Sequence, residues 1–245
     1  MTATGGDSSA TVAWTAPADG GSPLTGYTIT PFAGTTALTP LTVAAPATGA
    51  KVGGLTDGTS YTFVVKATNA IGDSPASTAS GAVTPRATIF GFAVPPTVDA
   101  GDPSGVELGV KFTSDVAGSV LGVRFYKADT NTGTHVGSLW TIGGTLLARA
   151  TFSAETPSGW QQVTFPTPVK ITPGTTYVAS YFAPNGHYSH SASGLAGPVD
   201  NPPLHTVSNA ISPNGVYAYG GASAFPVNTW NAANYWVDVA FVAGP

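Results

Sequence analysis

Glu107, Glu155, Gln161 and Gln162 are all the Glu and Gln in a chain of 245 residues, and these residue types are among the strongest helix formers on an exposed surface. No window repeats apolar residues at three- and four-residue spacing, so an amphipathic helix has nothing to build on. Short alternating runs take their place: Ala10-Thr11-Val12-Ala13-Trp14, Gly26-Tyr27-Thr28-Ile29-Thr30 and Tyr61-Thr62-Phe63-Val64-Val65-Lys66. Each interleaves β-branched or aromatic residues with polar ones and is bounded by Gly, Pro or Asp, the pattern of a half-buried strand. With 31 Gly and 21 Pro for turns and 42% apolar residues for a core, the composition is that of a folded, turn-rich, all-β chain rather than a disordered one.

Eight Lys and Arg stand against twelve Asp and Glu, a net charge of -4. No basic cluster exists to displace counterions from a phosphate backbone, which argues against nucleic acid as a partner. No basic amphipathic segment and no apolar run near 18 residues is present, so membrane insertion is not expected. The chain has no Cys and therefore no disulfide, thiolate metal site or thiol nucleophile. Residues 1–5 lack the basic and apolar stretches of a signal peptide, so an export signal is expected upstream or already removed. A charge-poor surface rich in Thr, Ser and Ala suits a secreted, extracellular, monomeric protein.

Around Val83-Thr84-Pro85-Arg86-Ala87 one set of short strands ends at a proline, and a more aromatic pattern starts at Ile89-Phe90-Gly91-Phe92. Two modules are expected, 1–85 and 86–245, with no fixed-period repeat relating them. In the first, Trp14, Tyr27, the six-residue step from Leu55 to Tyr61, and Ala67-Thr68-Asn69-Ala70-Ile71-Gly72-Asp73-Ser74 carry a resemblance to a fibronectin type III domain over about residues 2–85. The resemblance implies a two-sheet sandwich with Trp14 central in its core and the Tyr61 hydroxyl tied to nearby backbone at a corner between the sheets. The Pro-containing first strand of such domains is mostly missing ahead of Gly5, and no Arg-Gly-Asp tripeptide is present. A spacer role is the expectation, since fold alone supplies no function.

The second module reads as eight to ten strands, the count of a jelly-roll-like antiparallel β-sandwich. Val106-Glu107-Leu108-Gly109-Val110-Lys111-Phe112, Gly122-Val123-Arg124-Phe125-Tyr126-Lys127, residues 131–140 and Asn234-Tyr235-Trp236-Val237-Asp238-Val239 together resemble a C-terminal domain family of secreted bacterial proteins that has no assigned function. That resemblance implies a sandwich within large multidomain extracellular proteins, and it carries over no catalytic residue. Phe182 stands where the resemblance would put a histidine.

Strand parity points Leu121, Val123 and Phe125 inward and Arg124 and Tyr126 outward, sets Glu107 and Lys111 opposite Leu108, Val110 and Phe112, and puts Asp238 with Trp236. Glu107, Lys111, Arg124, Tyr126 and Asp238 are thus expected to share one face, either as a cross-strand ladder of ion pairs or as a binding face on which Arg124 forks to a carboxylate or hydroxyl pair. The loop Asp99-Ala100-Gly101-Asp102-Pro103-Ser104-Gly105 is oxygen-rich, and Asp102, Glu107 and Asp238 form a candidate Ca2+ set, although Asp residues also simply make turns. No other cofactor is called for. His187 and His190, three apart, make a poor zinc pair. Aromatics and amides interleave in the Gly- and Pro-rich loops, a mixture that stacks on sugar rings and hydrogen-bonds hydroxyls. The candidate ligand-binding residues are Arg124, Tyr126, His135, Trp140, His187, Tyr188, Tyr217 and Trp230. Enzyme motifs are absent, and a Ser189, His190, Asp200 combination arises by chance in any Ser-rich loop. The expected role is a pair of non-catalytic extracellular binding modules for carbohydrate or another cell-surface component; the alternative is a purely structural spacer that positions a neighbouring domain.

Overall fold

The computed structural model describes residues 1–244, and it divides the chain into two compact units, Met1–Arg86 and Ala87–Pro245. Among the described residues every regular element is a strand. In the first unit these are β1 (Thr2–Gly6), β2 (Ser9–Ala13), β3 (Leu24–Ala33), β4 (Thr36–Ala37), β5 (Leu41–Ala44), β6 (Gly49–Gly53), β7 (Tyr61–Asn69) and β8 (Gly72–Asp73). One sheet runs β1-β2-β6; the other runs β4-β3-β7-β8, with β5 also on β3. Alternation sets the inward faces: Tyr27 and Ile29 from β3 and Tyr61, Phe63, Val65 and Ala67 from β7 are buried, as a period of two requires. Trp14 packs against Tyr27 at 5.2 Å between ring centroids in this core. The Tyr61 hydroxyl accepts the backbone N–H of Thr56 at 2.9 Å, the corner that the resemblance implies.

The outer edge of β7 is closed by a device that does not look like a strand. Ser74, Ser77 and Ser80, three residues apart, face Ala67, Val65 and Phe63, two apart. Each serine N–H donates to the facing carbonyl, and each Oγ accepts the facing N–H at 3.0 Å. Three residues therefore span a two-residue strand repeat, and side-chain oxygens replace the missing ladder acceptors. Ser80 is the buried member. Ser80→Ala leaves the Phe63 N–H unpaired and is expected to lower stability by about 1–3 kcal/mol, against less than about 1 kcal/mol for Ser74→Ala, where water can substitute. Chemical denaturation of the two variants measures the difference.

The second unit contains β9 (Val106–Ser114), β10 (Gly118–Lys127), β11 (Val136–Thr141), β12 (Leu146–Thr151), β13 (Gly159–Ile171), β14 (Tyr177–Ala183), β15 (Asp200–Asn201), β16 (Leu204–Thr206), β17 (Val216–Tyr219), β18 (Asn228–Thr229) and β19 (Val237–Ala243). A three-stranded sheet, β13-β10-β19, faces a larger one, β12-β11-β14-β9-β16-β15, in which β17 also pairs with β9 and β18 with β17. All pairings are antiparallel. Leu108, Val110 and Phe112 of the larger sheet meet Val123, Phe125, Val239 and Phe241 of the smaller in one buried core.

Leu121, expected inward, is displaced. The register of β10 shifts between Val120 and Gly122 against both neighbours, and the resulting bulge puts Val120, fully buried, in the core position. A Cβ on Gly122 would lie 1.8 Å from the Val163 carbonyl oxygen, so only glycine lets β13 approach there. A second tyrosine corner lies in this unit. Ile171 to Tyr177 repeats the spacing of Leu55 to Tyr61, and the Tyr177 hydroxyl accepts the Thr172 N–H at 3.1 Å.

Candidate functional site

The five-residue face expected from strand parity is divided between the two sheets. Arg124 on β10 and Asp238 on β19 are direct cross-strand partners and form a buried ion pair, Nη1 to Oδ2 at 3.3 Å. Asp238 also accepts N–H bonds from Ile89, Phe90 and Val239. Arg124 donates from Nη2 to the Gly91 carbonyl at 3.1 Å, and its guanidinium lies 4.5 Å from the Trp160 ring centroid. Both terminal nitrogens of Arg124 are engaged internally, so its fork is not free for a ligand. Tyr126 is half-buried edge-on to Trp160. Glu107 and Lys111 lie on β9, in the other sheet; parity placed them away from the core correctly but could not tell which sheet a strand joins. Glu107 accepts from Ser180 Oγ, and Lys111 donates to Ser212 Oγ and the Pro213 carbonyl at 2.8 Å each.

Two other candidates are interior. His135 is fully buried, its ring nitrogens held by Glu155 at 2.8 Å and Asn131 at 2.8 Å. Burial pushes its pKa down, with Glu155 pulling the other way. Trp140 packs with Val178, Val216 and Phe225 and donates its indole N–H to Ser180 Oγ; it presents no open face. Trp230, 53% exposed, stands apart in a loop. Asp102, Glu107 and Asp238 have separate partners in separate places, which removes them as a Ca2+ set; among the described residues no group of three His, Cys, Asp or Glu side chains could hold a metal ion. Ser189 Oγ donates to the Val98 carbonyl, and Asp200 pairs with His205 instead of His190, so the chance Ser-His-Asp set does not assemble.

What the structure does bring together lies where the loop before β9 meets the turn after β14 and the end of β17. The loop is latched by backbone: His187 N–H donates to the Asp102 carbonyl, Ala100 N–H to the Tyr188 carbonyl and Gly220 N–H to the Gly105 carbonyl. The latch requires Gly186, which sits at φ +65° with its Cβ position 2.1 Å from the Asp102 carbonyl oxygen. This fixes Asp99 and Asp102 beside the aromatic end of the sandwich. Asp99 accepts from Thr130 Oγ1 at 2.6 Å and contacts His187 Nδ1 at 3.1 Å. The Thr130 bond leads the influences holding its carboxyl below the usual range.

Asp102 gathers tyrosines. Tyr219 donates to its Oδ2 at 2.5 Å, and the Tyr188 hydroxyl lies at 3.5 Å. Burial works to raise the Asp102 pKa, but hydrogen bonds from Tyr219, Ser104 and Tyr188 outweigh it and leave it lowered. The Asp102 bond, more than desolvation, raises the Tyr219 phenol, and desolvation raises Tyr188. A carboxylate surrounded by protonated phenols is the neutral-pH state. Edge-to-face contacts extend the group: Tyr217 to Tyr219 at 5.6 Å, Tyr217 to Tyr235 at 6.2 Å and Tyr188 to Tyr235 at 5.7 Å. Tyr235 is buried and anchors the set, Tyr188 and Tyr217 are half-buried, and Tyr219 is 55% exposed. Of the residues singled out by sequence, Asp102, His187, Tyr188 and Tyr217 converge here; Tyr219, Tyr235 and Asp99 complete the site.

Residues 92–237, more than half of the chain, match the family described as Domain of unknown function (DUF4082). The chain belongs to that family. Residues 1–82 match the fibronectin type III domain, so a fibronectin type III unit precedes the DUF4082 domain. No curated protein matches. Among solved structures, the crystal structure of chicken CNTN1 FN1-FN3 domains is similar at 19% identity with a TM-score of 0.32, covering 76% of this chain. This chain spans 62% of the length of that one. Among the described residues no helix is long and apolar enough to cross a membrane. The tyrosine and aspartate group falls wholly inside the matched residues, as do Arg124 and Glu107, while Asp238 directly follows the last of them.

Proposed function

We propose that the DUF4082 domain is a non-catalytic carbohydrate-binding module of an extracellular bacterial protein, with Tyr188, Tyr217 and Tyr219 around Asp102 as its sugar-contacting surface and the fibronectin type III unit as a spacer. The observation that carries this reading is the Tyr219–Asp102 pair set among partly exposed tyrosines in edge-to-face contact. Flat aromatic faces match the C–H surfaces of a pyranose ring, and an ionised carboxylate with adjoining phenol groups accepts and donates to its hydroxyls. The near-absence of cationic groups around it favours a neutral glycan and an affinity largely independent of salt.

The test is a glycan array and an insoluble-polysaccharide pull-down. Tyr217→Ala and Tyr219→Ala are expected to weaken retention at least about tenfold, corresponding to about 1.4 kcal/mol, with melting nearly unchanged for the exposed Tyr219. Tyr219→Phe keeps the ring and removes the hydroxyl, separating stacking from the Asp102 bond. Absence of retention on every glycan, or equal retention by the alanine variants, overturns the assignment and leaves the spacer reading.

A further inference from the structure

The outer face of the larger sheet carries a carboxyl group that the sugar-contacting surface does not use. Glu107 is fully buried. Its Oε1 accepts from Ser180 Oγ at 2.5 Å, and Ser180 in turn accepts the Trp140 indole N–H at 2.7 Å. Its Oε2 has no hydrogen-bond partner. Directly across on β14 stands Phe182, which has no side-chain donor to offer. Such an oxygen is tolerable on a neutral carboxyl and expensive on an ionised one, which in a dry site needs donors or water.

What keeps water out is the segment of residues 220–227, which joins β17 to β18. The Ser223 hydroxyl and the Ala224 backbone approach the carboxyl and lower its pKa, too weakly to offset its burial. Phe225 sits edge-on to Trp140 at 5.7 Å and closes the small apolar cluster of Trp140, Val178 and Val216. The segment forms no strand and begins at Gly220 and Gly221; a Cβ on Gly221 would meet nothing within 4 Å. It is held at its start by the Gly220 N–H bond to the Gly105 carbonyl, and along its length by a 3.4 Å contact between the Ser223 and Ser138 hydroxyls and by Phe225 on Trp140.

We propose that residues 220–227 form a flap that is closed over the neutral Glu107 carboxyl and is released when that carboxyl ionises. An ionised Oε2 must be reached by water, and the strands on which Glu107, Ser180 and Ser138 stand are fixed by ladders on both sides, so the flap is the element that moves aside. The charges facing Glu107 do not remove the need. Arg149 on β12 acts on it through space, but its Nε donates to Ser138 Oγ at 3.2 Å and its guanidinium lies 5.6 Å from the Trp140 ring centroid. Lys111, four residues along β9, is occupied by Ser212 and Pro213. From β14 and β11 the facing side chains are Phe182, Ser180, Ser138 and Trp140, and from the flap Ser223 and Phe225; none of these titrates. Burial raises the Glu107 pKa to about 7 against the lowering influence of Ser180, Ser223, Arg149 and the Ala224 backbone, so opening, which returns the carboxyl to water and its ordinary value of 4.5, becomes more favourable as pH rises from about 4.5 to about 7 and gains nothing further above. Tyr219 directly precedes the flap, so release would also loosen its bond to Asp102; that consequence alone rests on the carbohydrate-binding reading.

Hydrogen exchange of the full chain, read without any glycan and corrected for the intrinsic rise of exchange with pH, tests the flap. Protection of peptides spanning residues 220–227 is expected to fall as pH rises, by up to about tenfold per pH unit between about pH 4.5 and pH 7, and to level off above, relative to peptides of β9 and β14. Glu107→Gln, which cannot ionise, is expected to hold that protection constant, and Phe225→Ala to lower it at every pH. A wild-type flap whose protection does not fall between about pH 5 and pH 7 overturns the proposal even if Glu107→Gln fails to fold. So does a fall that persists in Glu107→Gln, or one shared equally by β9 and β14.

Discussion

Asp238→Ala is expected to destabilise the second unit by about 3–5 kcal/mol, the range for removing one partner of a buried ion pair. Asp238 has no exposed surface, and its carboxylate holds four groups at once: Arg124 Nη1 at 3.3 Å, Ile89 N–H at 2.7 Å, Phe90 N–H at 3.2 Å and Val239 N–H at 2.7 Å. Removing it leaves the Arg124 guanidinium buried with the Gly91 carbonyl and the Trp160 face as its remaining contacts, and it strands two N–H groups in the segment that precedes β9. Coulomb attraction is the smaller part of the effect. The larger part is the desolvation of groups left without partners. For a unit of this size the loss corresponds to a fall in Tm of roughly 10 °C, measurable by scanning calorimetry alongside guanidinium denaturation. A loss below about 1 kcal/mol would mean that the pair behaves like an exposed, screened one.

Strand parity was readable from the chain because it depends on neighbours one and two residues away. The inward sets Leu108, Val110, Phe112 and Val123, Phe125 follow from it, as does the turning of Glu107, Arg124 and Asp238 away from the core. Sheet membership depends on pairing between segments far apart in sequence. β9 takes partners from β14, β16 and β17, and nothing local in Val106-Glu107-Leu108 announces them, which is why one expected polar face became two. The Leu121 error has the same root in reverse. A bulge costs one residue and resets parity, and its signal, Gly122 inside an alternating run, was present but also reads as an ordinary small residue. Asp102 was legible as a turn former, whereas its role as the hub of a tyrosine group depends on Tyr219, 117 residues away at the end of a four-residue strand too short to show a period. Two further local signals stand in the sequence: the serine spacing of three across residues 74–80, and the Ile171-to-Tyr177 step that copies Leu55-to-Tyr61. Trp140 shows the limit for aromatics. Residue type says that an indole will be largely covered, and only the position of Phe225 says by what.

Phe125→Ala is expected to match or exceed Asp238→Ala, by a different mechanism. Phe125 is fully buried and stacks almost parallel on Tyr181, 4.0 Å between centroids at 13°. Phe152 meets it edge-on at 4.9 Å and His135 lies tilted at 4.9 Å. Truncation loses the transfer free energy of the ring and leaves a cavity, about 3–5 kcal/mol for Phe→Ala in a packed core. Aromatic pairs of this geometry add about 0.5–1.5 kcal/mol beyond burial, which pushes the expected value to the upper end of the range. The surroundings cannot collapse to recover it. Tyr181 is pinned by its hydroxyl bond from Asn131, and His135 by Asn131 and Glu155, while β10 itself is clamped between β13 and β19. Phe125→Leu fills most of the volume, gives up the stacking and should cost less than half as much. Denaturation midpoints for the two variants separate the contributions: equal losses would mean that stacking on Tyr181 dominates over cavity volume, and a loss below about 2 kcal/mol for alanine would mean that the site collapses despite its pinned neighbours.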